Sequence, residues 1–281
     1  MNLTVVYNPK SGSALPKADL DMMFKKAGIT VDTFLDITKN SSGDELTRLA
    51  QSGATIAAIG GDGTIASVAE HVVNTPGILA PLPGGTLNHF TKDAGIDQNL
   101  EQAIINLSSA QSRKVDVATV NDRVFLNNSS IGIYPSSLRT REQFEDKLGK
   151  WPAAVIGSIR AFLKYRLYTI TINGEDHRTP FLFVGNNDYK ITSTAERTHL
   201  DQGKLSVYAI TSDKRRSIVK LLFAVITKRL AQQDEFMAFT TDTLTIHTKH
   251  ASRVNVSTDG EVDKLSTPLT YTSCAGVLTI I

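Results

Sequence analysis

Three short stretches of this 281-residue sequence put glycines and small polar residues where an apolar run gives way to a helical pattern. They are Asn8-Pro9-Lys10-Ser11-Gly12-Ser13, Gly60-Gly61-Asp62-Gly63-Thr64, and Leu82-Pro83-Gly84-Gly85-Thr86-Leu87-Asn88-His89-Phe90. A strand-to-helix junction is where open α/β sheets bind ligands, and small residues there let backbone N–H groups approach a phosphate. Paired glycines also permit backbone conformations closed to other residues, and a helix start offers N–H donors to anionic oxygens. Asp62, between glycines at such a start, is placed to coordinate Mg²⁺, to accept a hydroxyl proton, or simply to cap the helix. A second glycine pair at the same sheet edge is hard to explain as packing. Two such loops read as a cradle for the phosphates of a nucleotide. The GxxxxGK[ST] spacing of a P-loop occurs nowhere, which excludes that class of enzyme.

The elements that must carry these loops are legible. Leu3 to Tyr7 reads as a strand, Leu20, Met23, Phe24 and Ala27 fall at helical spacing, and Ile29 to Leu35 reads as the next strand. Leu46, Leu49 and Ala50 give a second helix its buried face, with Ser42 near its start, and Thr55 to Ile59 is a third strand. Ile65, Val68, Ala69, Val72 and Val73 form the cleanest amphipathic stripe. Alternating strands and helices predict a mostly parallel sheet with helices on its faces. Beyond about residue 113 the pattern changes to strands separated by turn signals, Asn121-Asp122, Asn173-Gly174 and Asp259-Gly260, which predicts an antiparallel second domain. Asp242 to Thr248 and Arg253 to Ser257 read as strands there, with helices over 139–166 and 214–232.

The three stretches, in this order and at these intervals, resemble the diacylglycerol kinase catalytic-domain family, which includes bacterial lipid kinases and eukaryotic sphingosine and ceramide kinases. The resemblance continues through Val115-Asp116-Val117, Phe125-Leu126-Asn127-Asn128-Ser129-Ser130-Ile131-Gly132, Val184-Gly185-Asn186-Asn187 and Thr258-Asp259-Gly260-Glu261. It implies an α/β nucleotide-binding domain over 1–118 plus about 268–281, a β-sandwich lipid-substrate domain over 119–267, and a cleft holding ATP and Mg²⁺. Nucleotide contacts are then expected from Asn8, Pro9, Lys10, Ser11 and Gly12, from Gly60, Gly61, Gly63 and Thr64, and from Gly84, Gly85, Thr86 and Asn88. Asp62, Asp116, Asp259 and Glu261 would form the catalytic acidic cluster, with Asp62 on the metal and either Glu261 or Asp62 as the base. Read without the family, Asp259-Gly260 is equally an ordinary hairpin turn. In the stretch His199 to Leu205, Gln202 stands where the family has an Asp that helps to hold a structural Mg²⁺. Asp201 could substitute by a one-residue shift, with Gln a weak, neutral ligand for a hard cation.

The activity implied is transfer of the γ-phosphoryl group of ATP to a lipid hydroxyl, with diacylglycerol as the default acceptor. Two other readings stand beside it: an NAD kinase-like enzyme, which shares the GGDGT loop and acts on a soluble hydroxyl, and a nucleotide-binding regulator without turnover. Bulk properties agree with a globular protein, since 41% of residues are hydrophobic and 21% charged. A net charge of +2 gives no overall case for nucleic acid. Cys274 is the one cysteine, so an internal disulfide is excluded and a reducing cytoplasm fits. No export leader is read in MNLTVVYNPK, and the apolar run Leu221 to Ile226 is far short of a membrane span. Residues 139–166 carry seven basic and three acidic side chains around Trp151, Val155, Ile156, Ile159, Phe162 and Leu163. That combination suits peripheral contact with an anionic inner membrane face, or else a helix with a solvated basic face. A homodimer is left open.

Overall fold

The computed structural model describes residues 3–9, 14–39, 41–132, 167–172, 175–189, 197–211, 236–249 and 251–281. The chain divides into two compact units. The first comprises residues 1–117, 197–203 and 274–281, the second 118–196 and 204–273. The short stretch 197–203, which the sequence places with the second domain, therefore belongs to the first.

The first unit runs β1 (Leu3–Tyr7), α1 (Lys17–Lys26), β2 (Thr33–Asp36), α2 (Ser42–Gln51), β3 (Thr55–Gly60), α3 (Asp62–Val72), β4 (Ile78–Pro83), α4 (His89–Asp93) and α5 (Leu100–Asn106). Its strands pair in the order β2-β1-β3-β4, all parallel. Alternation along each strand sends successive side chains to opposite faces. Leu3, Val5, Ala57, Ile59, Ala80 and Leu82 meet Leu20 and Phe24 of α1 and Ala103 and Ile104 of α5 in one core. On α3, Ile65, Val68, Ala69 and Val72 of the expected stripe are fully buried, while Val73 lies just past the helix end and is partly buried; this helix packs on α2 and β3. The second strand is shorter than the expected Ile29 to Leu35. Gly28 takes φ +72 and the Ile29 N–H caps the Phe24 carbonyl at 2.9 Å, which closes α1. Ile29 and Val31 then pack against the core as partly buried side chains before pairing begins at Thr33.

β5 (Arg113–Val120) leads from the first unit into the second. There follow β6 (Arg123–Phe125), β7 (Asn128–Gly132), β8 (Tyr168–Ile172), β9 (Glu175–Thr179), β10 (Phe181–Asn186), β11 (Leu205–Ile210), β12 (Phe236–Thr241), β13 (Thr243–Thr248), β14 (Arg253–Thr258), β15 (Glu261–Ser266) and β16 (Leu269–Ile280). One antiparallel sheet has the order β12-β11-β10-β7-β14-β15. A second path joins β6, β5, β16, β13, β8 and β9. Between them lies a core that includes Phe125, Ile131, Leu182, Val184, Val207, Ile246, Val256 and Tyr271. The expected turns at Asn121-Asp122 and Asp259-Gly260 are present, with positive φ at all four residues, the conformation that matches the twist of a tight hairpin. The last part of β16, from Cys274, returns to the first unit, where Ile280 pairs in parallel with Leu79.

Tyr271 is wholly buried, packs edge-on against Phe125 at 6.3 Å, and has its hydroxyl 3.3 Å from the Ser129 hydroxyl. Burial pushes its phenol from 10.0 up to about 12, against the smaller opposing effect of that hydrogen bond. Its stability contribution is therefore intact below about pH 10 and is lost as pH rises toward 12, because the unfolded chain ionises first. The expected slope from this group is about −1.4 kcal/mol per pH unit between those limits. Urea unfolding at a series of alkaline pH values should show that slope reduced in Tyr271→Phe. An unchanged slope would mean that the phenol ionises freely in the native state.

Candidate active site

Strand order reverses between β1 and β3: β2 lies on one side of β1, while β3 and β4 extend the other way. In a parallel sheet this switch point leaves a crevice beyond the carboxyl ends of the strands, because the flanking connections leave toward opposite faces. A pocket of about 260 Å³ lies there. Its lining includes Tyr7 and Asn8 after β1, Ile59 and Gly60 at the end of β3, Pro83, Gly84 and Gly85 after β4, and Asn88. Ala14, Leu15, Leu20, Gln98 and Leu100 complete the described wall. None of these side chains is charged. An apolar wall with a few amides and exposed backbone suits a neutral, flat, hydrogen-bonding group such as a nucleobase and its sugar.

The two glycine pairs do more than face this pocket. Gly84 donates its N–H to the Gly60 carbonyl at 2.9 Å. A Cβ on Gly84 would lie 2.8 Å from the Gly60 nitrogen, and one on Gly85 would lie 2.5 Å from the Gly61 Cα. Packing, which the sequence made look insufficient, thus accounts for the second pair: the loops touch backbone to backbone. None of Gly60, Gly61, Gly63, Gly84 and Gly85 has positive φ, so at Gly60, Gly84 and Gly85 the missing side chain, not special backbone freedom, is what the position requires. Gly60 itself leaves room for Thr64, whose Cβ would be 2.5 Å from an added methyl.

Asp62 opens α3 but caps another helix. Its carboxylate accepts the His89 N–H at 3.1 Å and the Phe90 N–H at 2.9 Å, the first two residues of α4. Asn88, in the left-handed conformation at φ 52, turns its Oδ1 back to accept the Gly85 N–H at 2.9 Å. The Asp62 carboxylate therefore fixes the loop after β4 onto the loop after β3, while the Asn88 amide closes the β4 loop on itself. Thr86 is exposed, and so is Pro9. Lys10, Ser11 and Gly12 lie outside the described residues.

Asp116 is 2% exposed and holds its own unit together. One carboxylate oxygen accepts the Gly203 N–H at 2.6 Å and the other the Gly276 N–H at 2.8 Å, while its own N–H bonds to the Leu200 carbonyl at 2.7 Å. It thereby ties both the 197–203 segment and the returning end of β16 to β5. Sequence reasoning missed a second tie: Arg197 and Asp93 form an ion pair at 2.7 Å with side chains 0% and 6% exposed. Nothing local marks either residue, since they stand 104 positions apart. Asp201 and Gln202 are exposed, and among the described residues no group of three or more His, Cys, Asp or Glu could hold a metal ion. The expected structural Mg²⁺ site gains no support from that donor set.

In the second unit, Asp259 and Glu261 occupy the tip of the β14–β15 hairpin. The Asp259 carboxylate accepts three consecutive backbone N–H groups, from Leu126 at 2.7 Å, Asn127 at 2.8 Å and Asn128 at 3.1 Å. Its own N–H returns a bond to the Asn128 carbonyl at 2.9 Å. This residue is the hairpin turn and also the clamp on the start of β7. Glu261 differs, with a side chain 61% exposed and one oxygen bonded to Arg123 at 3.1 Å.

Residues 2–120 match the diacylglycerol kinase catalytic domain. A Staphylococcus carnosus protein named "Putative lipid kinase" is 24% identical over 257 residues, covering 87% of this chain and 80% of its own. Lipid kinase YegS of Escherichia coli K12 is 27% identical over 163 residues, 56% of this chain and 54% of that one, so this match speaks for about half of each. Among solved structures, a protein from Bacillus anthracis named "putative diacylglycerol kinase" superposes with a TM-score of 0.73 at 25% identity, covering 100% of this chain and 96% of that one. Among the described residues no helix is long and apolar enough to cross a membrane. Over residues 2–120 the chain is thus similar to the diacylglycerol kinase catalytic domain, and over most of its length to a protein named as a lipid kinase.

Proposed function

We propose that this protein transfers the γ-phosphoryl group of ATP, supplied as its Mg²⁺ complex, to the hydroxyl of diacylglycerol, giving phosphatidic acid. The observation that carries the donor side is the convergence of the loops after β1, β3 and β4 on one pocket at the switch point of the sheet, with no charged side chain among the described residues of its lining. Phosphoryl transfer asks a protein chiefly for positioning and for neutralisation of charge. Here the Gly60–Gly84 contact and the Asp62 and Asn88 bonds supply a fixed loop pair for the nucleotide. The lipid acceptor is supported by the names of the relatives, and diacylglycerol by the name of the superposed structure.

In the transfer, the acceptor oxygen bonds to the γ-phosphorus as the bond to the β,γ-bridging oxygen breaks, ADP leaves, and the hydroxyl proton passes to a carboxylate. Of the four residues of the expected catalytic cluster, Asp62, Asp116 and Asp259 each give both carboxylate oxygens to backbone N–H groups. Glu261 keeps an exposed carboxylate, and we assign it the role of general base. Asp62 serves the nucleotide side, through the loop it fixes.

The test is transfer of labelled γ-phosphate to a panel of lipids and soluble alcohols in mixed micelles, wild type against Asp62→Asn. Labelled diacylglycerol that falls on the order of 100-fold in the variant is expected, since small displacements of a reacting group cost about that much. Labelling of NAD⁺ instead, or ATP binding with no labelled product, would overturn the assignment. A lipid acceptor also requires contact with a membrane surface, and the basic, apolar segment 139–166, outside the described residues, is the proposed contact. Sedimentation with anionic liposomes should then weaken when Lys150, Arg160 and Lys164 are neutralised together; binding indifferent to both lipid charge and these residues would remove that segment from the proposal.

A further inference from the structure

We propose that Arg123 is the positioning residue that aims the Glu261 carboxylate, an inference that rests on Glu261 being the base. Arg123 opens β6, directly after the Asn121-Asp122 turn. Its guanidinium spans three acceptors of the neighbouring β14–β15 hairpin. Nε donates to the Thr258 hydroxyl at 3.1 Å, Nη2 to Glu261 Oε2 at 3.1 Å, and Nη1 pairs with Asp263. Glu261 and Asp263 stand two residues apart on β15, so both side chains leave the same face of the strand. A planar fork with donors at fixed angles can engage such a set at once, which a lysine ammonium cannot.

The consequence for Glu261 is directional. Its side chain is 61% exposed, and an exposed glutamate would otherwise sample several rotamers. The bond to Oε2 fixes the carboxylate plane from one side. Oε1 has no hydrogen-bond partner among the described residues. One oxygen anchored and the other open is the arrangement that a base needs to meet a hydroxyl proton in a single orientation. Asp259 contributes from beneath, because its three bonds to residues 126–128 set the hairpin tip from which Glu261 departs. Glu261 and Asp263 are exposed, at 61% and 42%, and ion pairs to such groups add little to stability, so what stability the half-buried Arg123 side chain supplies comes chiefly from its packing and its bond to Thr258.

Four variants separate this idea from its parent reading: Glu261→Gln, Arg123→Ala, Arg123→Lys and Asp263→Asn, assayed for kcat and KM toward ATP and lipid, with thermal unfolding alongside. Arg123→Ala is expected to lose on the order of 100-fold in kcat with both KM values within about threefold, and to lower its unfolding midpoint by no more than several degrees, the cost of the packing of a half-buried side chain. Millimolar guanidinium should restore part of the lost rate. Arg123→Lys, which keeps the charge and loses the fork, should fall between Arg123→Ala and wild type. Asp263→Asn should stay within severalfold of wild type. An active Glu261→Gln would overturn the base assignment itself. An inactive Glu261→Gln together with an unimpaired Arg123→Ala would overturn only the positioning role, as would an Asp263→Asn variant as slow as Arg123→Ala.

Discussion

Alanine at Gly85 is expected to lower phosphoryl transfer on the order of 100-fold, whereas alanine at Gly61, its partner in the same contact, should leave the fold undisturbed. The sequence makes the two glycines look equivalent. The structure does not: a Cβ on Gly85 would sit 2.5 Å from the Gly61 Cα, 3.1 Å from its nitrogen and 3.0 Å from Asn88 Oδ1, while one on Gly61 meets only the Gly85 Cα, at 3.5 Å. The first cannot be relieved by a side-chain rotation, since backbone lies in the way, so the loop after β4 must move off the loop after β3. Overpacking of this kind costs roughly 1–3 kcal/mol, which lowers an unfolding midpoint by several degrees. The functional loss should be larger, because Gly60, Gly84, Gly85 and Asn88 all line the pocket, and a displacement near 1 Å at a reacting group costs on the order of 100-fold. Thermal unfolding and an ATP-binding titration of both variants decide it. Wild-type binding by Gly85→Ala, or equal destabilisation by Gly61→Ala, would show that the close approach is not what the second glycine pair serves.

That asymmetry marks the limit of what a sequence can disclose. Periodicity is a local property, and where it governed, expectation and structure agree: the stripe on α3, the strand at Leu3–Tyr7, and the hairpin turns at Asn121-Asp122 and Asp259-Gly260. Expectation failed where a tertiary contact decides the conformation. Ile29 and Val31 carry the β-branched signature of a strand, yet the Schellman-type closure of α1 sends them into the core unpaired. The carboxylates show the same division. Asp62 and Asp259 looked like ligands or bases because Asp beside Gly at an element boundary allows those roles, and Asp116 through the family resemblance alone, but hydrogen-bond partners are chosen in three dimensions. Asp116 meets Gly203 and Gly276, and Asp259 meets residues 126–128, across separations that no window spans. A buried carboxylate that collects backbone N–H groups satisfies donors that would otherwise be orphaned, and this work is as demanding of an aspartate as catalysis is. Glu261 escaped it, which is why the chemistry is assigned there.

The ion pair between Arg197 and Asp93 should prove the most costly single interaction to break in the first unit. Both side chains are almost fully withdrawn from water, at 0% and 6% exposure, and the Asp93 carboxylate also accepts the Arg197 backbone N–H at 3.3 Å. Replacing Arg197 by methionine leaves a buried, uncompensated carboxylate, a defect that typically costs about 3–5 kcal/mol. Replacing both residues, Arg197→Met with Asp93→Leu, removes charge and counter-charge together and should cost markedly less than the single change, because desolvation of the pair offsets much of its attraction. The consequence reaches the segment 197–203, whose Leu200 carbonyl and Gly203 N–H are bonded to Asp116. Once the Arg197 side chain is lost, the first end of that segment keeps only weaker fastenings such as its backbone N–H to Asp93, and amide exchange at Gly203 and Gly276 should rise together, well before global unfolding. Urea unfolding of the wild type, the two single variants and the double variant gives the coupling energy directly. A single variant that loses less than about 1 kcal/mol would mean that the remaining partners of Asp93 neutralise it without Arg197, and the fastening of this segment would then rest on Asp116.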